Sequence, residues 1–207
     1  MIYPSVRSRR HGFSLVEIIV VVAILTVAAV LSAPYIAGMA AAARLRTAAD
    51  AVQNRLLEAQ SLAILFNTDA ELRFYEAEDL AGGRSTLRKL RILTLRPPED
   101  DSGGGATPAS VFEPVGAITS LDQEIEISTD SVRSSIMDLG FQDSSTDIYG
   151  RYIALRFHSD GSPALQPTKP WFLTLHEKDA QLREPRLRNF VTVQIDPATG
   201  RLRSFQP

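Results

Sequence analysis

The polar and apolar positions of this chain follow three regimes. From Phe13 to Ala33 the only ionisable side chain is Glu17, and most of the rest are Val, Ile, Leu and Ala. At about 1.5 Å per residue such a run makes roughly 31 Å of helix, the thickness of a bilayer core. A carboxylate inside that span costs about 2.5–3.5 kcal/mol even on a lenient insertion scale, so Glu17 calls for a partner. In the second regime Leu45, Ala48, Ala49, Val52, Leu56, Ala59, Ala63 and Phe66 recur at three- and four-residue steps, while Arg44, Asp50, Gln53, Asn54 and Glu58 lie mostly off that stripe. The spacing predicts one long helix from Phe13 to Phe66, apolar all round at first and then amphipathic against a domain core. Pro34 and Gly38 are expected to bend or loosen it, and Asn67-Thr68-Asp69 to end it.

In the third regime the period falls to two. Glu71–Tyr75, Leu87–Leu95, Glu124–Ser128, Ile153–Phe157, Trp171–Leu175 and Val191–Ile195 read as antiparallel strands with one face on the helix. Asp160-Gly161 and Pro197-Ala198-Thr199-Gly200 are turn chemistry between them. Pro97–Ser110 reads as a loop, and Ser128–Gly150 is mostly polar and takes no assignment. The predicted class is α+β: one long N-terminal helix, membrane-spanning then amphipathic, packed on an antiparallel sheet.

Composition adds three constraints. The net charge is -2, which gives no global pull toward nucleic acid or anionic lipid. Cysteine is absent, so an exported domain must hold together without disulfides. Arg7, Arg9, Arg10 and His11 precede the apolar run, which places the N-terminus on the cytoplasmic side. A secretory signal peptide is a poor match, because Leu31-Ser32-Ala33 lacks the small-x-small site and Pro34 follows it.

The junction Gly12-Phe13-Ser14-Leu15-Val16-Glu17 resembles the class III signal of type IV pilins and type II secretion pseudopilins. The resemblance implies cleavage after Gly12 by a prepilin peptidase, N-methylation of Phe13, and a docking role for Glu17 in filament assembly. Two further segments narrow it. Arg156-Phe157-His158-Ser159-Asp160-Gly161-Ser162 resembles a Phe-x-x-x-Gly-Ser stretch, and Val191–Phe205, with Thr199-Gly200-Arg201 at its turn, resembles a closing hairpin. Both belong to the H-type minor pseudopilins and the FimT-like minor pilins. The lack of cysteine departs from many major type IV pilins, and Glu17 departs from the K-type tip subunit. The implied organisation is a leader over 1–12, a transmembrane helix over 13–37 and a periplasmic pilin-like domain over 38–207. The implied protein is a non-enzymatic inner-membrane subunit of a secretion pseudopilus, partnered by other pseudopilins; the alternative is a FimT-like minor type IV pilin, with DNA as a candidate contact.

Candidate chemistry outside this signal is sparse. Arg183, Arg186, Arg188, Arg201 and Arg203 fall in the last quarter, and Gly200-Arg201-Leu202-Arg203 resembles the Gly-Arg-x-Arg segment with which some FimT-like pilins capture DNA. Glu177, Asp179, Glu184 and Asp196 dilute that charge, and Tyr and Trp platforms are missing, so a solvated face is the expected reading and nucleic acid is not an expected partner. Asp138, Asp143 and Asp147 are oxygen ligands of the kind calcium takes, without the alternating spacing of a known loop. His158 and Asp160 lack a nucleophile between them and read as turn residues. No cofactor and no metal are expected.

Overall fold

The computed structural model describes residues 14–78, 85–96, 111–143, 149–178, 180 and 189–207, with the side chains of 32–37, 78 and 85 excepted. The chain divides into two compact units, Met1–Ala40 and Ala41–Pro207. One α-helix, α1, is assigned without a break over Leu15–Phe66, through Pro34 and Gly38. It stops where the sequence places its end. Asn67 takes the left-handed conformation (φ 49°), its N–H bonds to the Ile64 carbonyl at 3.2 Å, and the Thr68 N–H bonds to the Ala63 carbonyl at 3.1 Å. Together these form a Schellman cap with asparagine in the usual glycine place.

In the second unit eight strands form one antiparallel sheet: β1 (Ala70–Glu78), β2 (Ser85–Arg96), β3 (Val111–Ser120), β4 (Ile125–Ile127), β5 (Tyr152–Phe157), β6 (Trp171–Glu177), β7 (Phe190–Ile195) and β8 (Leu202–Phe205). Their order is β5-β1-β2-β4-β6-β7-β8, with β3 paired to the same edge of β2 as β4. The helix residues Leu45, Ala48, Ala49, Val52, Leu56, Ala59 and Ala63 are buried against Leu72, Phe74, Leu90, Ile92, Ile153, Leu155, Leu173, Leu175, Val193 and Ile195. This is the stripe and the alternating set that the sequence marks, and the α+β arrangement is the predicted one. Phe66 is the exception, since it is exposed at the cap.

Two elements fall where the sequence pattern is silent. Strand β3 carries Pro114 and Gly116 and is largely exposed, so neither hydrophobic alternation nor β-propensity marks it. A short 3₁₀ helix, Ser135–Leu139, lies inside the polar stretch and buries Ile136 in the core. The loop predicted over Pro97–Ser110 lies outside the described residues.

Candidate assembly site

The described part of the first unit begins at Ser14, whose Oγ accepts the Glu17 N–H at 3.2 Å. Ser14 and Glu17 thus have the spacing of a capping box, and a carboxylate in the first turn faces the positive end of the helix dipole. The large apolar side chains from Leu15 to Leu31 are all exposed, with fractional exposures of 49–74%. A helix apolar on every side, with none of the other described residues over it, buries itself only in lipid or among other helices. Among the described residues the Glu17 carboxylate makes no ion pair. Among the described residues no helix is long and apolar enough to cross a membrane. Of the apolar run read from the sequence, Phe13 and the side chains of Ser32 and Ala33 lie outside what is described.

Residues 7–33 match the prokaryotic N-terminal methylation motif. The chain therefore carries a prepilin-type signal, which supports a type IV pilin-like or pseudopilin protein, a structural subunit rather than a class of enzyme. The motif implies processing by a prepilin peptidase, membrane anchoring and assembly with other pilin-like subunits. No curated protein and no solved structure matches the chain.

Gly12 and Phe13, the two sides of the expected cut, lie outside the described residues, as do Arg183, Arg186 and Arg188. Arg201 and Arg203 are exposed beside and on β8. Of the aspartates considered for calcium, the two that are described each face a cation. Asp138 pairs with Lys169, Asp143 pairs with Arg151 at 3.2 Å, and Asp147 lies outside the described residues. Arg151 is shared with Glu76 at 3.5 Å, and among the described residues no group of three metal-ligating side chains occurs. His158 and Asp160 sit at a turn as predicted. The Asp160 Oδ1 accepts the Ser162 N–H at 2.8 Å and its hydroxyl at 2.6 Å, which holds the carboxyl below its ordinary range.

Two arrangements escape a sequence reading. The first is a clamp at Gln60 on α1. Its Nε2 donates to the Gly161 carbonyl at 2.8 Å and to the Thr199 carbonyl at 3.0 Å, joining both glycine turns to the helix. Gly161 (φ +83°) and Gly200 (φ +70°) sit so close that an added Cβ would lie 2.7 Å from Ile64 Cδ1 at the first and 2.5 Å from Gln60 Nε2 at the second. The Phe-x-x-x-Gly-Ser stretch and the closing hairpin are thus two contacts with one helical residue. The second is an ionic layer on the sheet face away from α1. Glu71 accepts Arg73 Nε at 3.0 Å and Arg156 Nη2 at 2.7 Å, and the Arg73 guanidinium lies 4.3 Å from the Tyr152 ring centroid. Burial is the largest influence and works against the charge on Arg73, yet the charge and hydrogen bond of Glu71, with smaller help from Tyr152 and Tyr75, together raise the Arg73 pKa. The alternation of Glu71 and Arg73 with Leu72 and Phe74 shows the two-faced strand, but not that its polar face is buried as well.

Proposed function

We propose that this protein is an H-type minor pseudopilin, a structural subunit of a type II secretion pseudopilus. The observation that carries the reading is the methylation motif at residues 7–33, set at the start of a helix whose later half packs on an antiparallel sheet. The two glycine turns that resemble the H-type subunits support it, since both dock on Gln60 and so belong to the helix–sheet frame. In this reading residues 1–12 are a leader removed after Gly12 and Phe13 is the methylated first residue. Residues 13–37 span the inner membrane with the N-terminus in the cytoplasm, and residues 38–207 form the periplasmic domain. Glu17 then neutralises the new ammonium of an adjacent subunit, because two opposite charges in lipid are each costly alone and attract strongly when paired.

Mass spectrometry of the protein purified from membranes tests the reading. The expected first residue is a methylated Phe13, and Gly12→Val, which crowds the scissile bond, is expected to leave uncut precursor. An intact Met1 terminus overturns it. A gene neighbourhood of secretion ATPase, secretin and other pseudopilins favours secretion; one of pilus genes favours the minor type IV pilin.

A further inference from the structure

Of the sheet edges described, only β8 is both uncovered and uninterrupted. The free side of β5 is closed by its own chain: Gln142 and Tyr152 exchange backbone bonds at 2.8 and 3.0 Å, and the Ala164 N–H reaches the Arg156 carbonyl at 2.8 Å. The free side of β3 is broken by Pro114, by Gly116 at positive φ and by a register shift against β2. Proline and irregular pairing are devices that keep an edge from accepting another strand. Strand β8 has neither.

The hairpin geometry fixes which groups face outward. Gly200 bonds to the Asp196 carbonyl at 2.8 Å, and the Asp196 N–H bonds to the Arg201 carbonyl at 2.9 Å. The register then pairs Ile195 with Leu202, Gln194 with Arg203, Val193 with Ser204 and Thr192 with Phe205. Alternation along an antiparallel ladder assigns the bonded places to Arg203 and Phe205, so the N–H and C=O groups of Leu202 and Ser204 point away from β7. Among the described residues nothing else bonds to them.

Side chains give this edge a sign. Arg203 and Phe205 share the sheet face away from α1, because Ser204 and Leu202 stand opposite the core residues Val193 and Ile195. Arg203 faces neutral Gln194 across the ladder; its charge is felt at Asp196, but among the described residues neither Arg201 nor Arg203 makes an ion pair. Phe205 is 52% exposed. A second copy in the fully overlapping register, Leu202 against Ser204, would set Arg203 opposite Arg203, and like charges directly opposite are unfavourable.

We infer that β8 is a docking edge that takes an extended, acidic segment of another pilin-like subunit as a ninth strand. The inference rests on the pilin-like reading above. Backbone bonds from Leu202 and Ser204 supply the attachment, and a carboxylate opposite Arg203 with an apolar residue opposite Phe205 supplies the selection.

The full-length chain in the membranes of its own host provides the test, with Phe13 methylation measured in every variant. Ser204→Pro removes an outward N–H without touching the β7 ladder, and Arg203→Glu reverses the charge. Both are expected to keep the wild-type melting temperature and a methylated Phe13, yet to drop at least tenfold in isolated filaments, while Ser204→Ala assembles normally. Amide exchange across residues 200–207 is expected to slow at least tenfold in the filament relative to the detergent-solubilised monomer. Normal assembly of Ser204→Pro and Arg203→Glu overturns the inference, as does equally fast exchange in both states. Slow exchange with no other pilin-like subunit present shows self-pairing and overturns the partner. A duplex oligonucleotide that binds wild type and Ser204→Pro alike, but not Arg203→Glu, overturns it in favour of DNA. An unmethylated Phe13 strikes the pseudopilin reading instead, whatever the β8 variants do.

Discussion

Glu17 and Gln60 mark the two kinds of residue on which this molecule depends. Glu17→Leu removes a charge from an apolar stretch, so the variant is expected to insert at least as well as wild type and to be cut normally. Under the proposed role of Glu17 as counter-charge to a neighbour's new ammonium, crosslinking to partner subunits in membranes is expected to fall; undiminished crosslinking would show that another group docks. Gln60→Ala leaves the Gly161 and Thr199 carbonyls without their donor, and a loss of about 1–3 kcal/mol is expected in urea unfolding of a fragment spanning 38–207. Gly200→Ala pushes a Cβ into the space of Gln60 Nε2, so its cost and that of Gln60→Ala should be strongly non-additive in a double-mutant cycle. Glu71→Gln strips the shared counter-ion from Arg73 and Arg156, and a loss of about 3 kcal/mol is expected because Arg73 stays buried. Both turn aspartates, Asp160 and Asp196, have lowered pKa values, the first through Ser162 and the second through the Ala198 N–H and the Thr199 hydroxyl. A depressed carboxyl adds stability that is complete above its unfolded value of about 3.9 and is lost as pH falls through the lower folded value. Melting temperature should therefore drop below about pH 4, and less steeply in Asp160→Asn.

Secondary-structure elements close their open bonds here by unlike means. Beyond the three residues of β4, the edge of β6 has no strand beside it among the described residues. Ser134 Oγ accepts the Thr174 N–H at 3.0 Å, and Ser135 Oγ accepts the Phe172 N–H at 2.8 Å while donating to the Pro170 carbonyl at 3.0 Å. Two hydroxyls held by a 3₁₀ turn thus stand in for a strand, and both serines are buried. Ser135→Ala is expected to cost about 1–3 kcal/mol, the price of an unmet buried amide, and to speed exchange of the Phe172 N–H. Unchanged exchange there would mean that the hydroxyl is dispensable.

The whole molecule separates at Ala40 and Ala41, and the second unit contains the complete helix stripe and the sheet it covers. A fragment from Gly38 to Pro207 is therefore expected to fold alone, to be monomeric, and to show mixed helix and strand in circular dichroism. A disordered spectrum or an aggregate would show that the apolar segment is part of the fold. Monomeric behaviour also agrees with a β8 edge whose own arginines oppose self-pairing.

Residue order alone determined what depends on periodicity and on contiguous chemistry. The apolar run with its single carboxylate, the Leu45–Ala63 stripe, the helix stop at Asn67 and the alternating strands are all written in neighbouring residues, because burial of one face leaves a period of 3.6 or 2. The signal around Gly12 is legible for the same reason, since its parts follow one another along the chain. Tertiary structure decided what joins distant residues. Gln60 meets Gly161 and Thr199, Glu71 meets Arg156, and Ser134 meets Thr174 across gaps of 40 to 139 residues. Strand β3 acquired its place only by pairing with β2, since its own residues lack a buried face to record it. Which edge stays open among the described residues depends likewise on where the chain folds back, over β5 and not over β8.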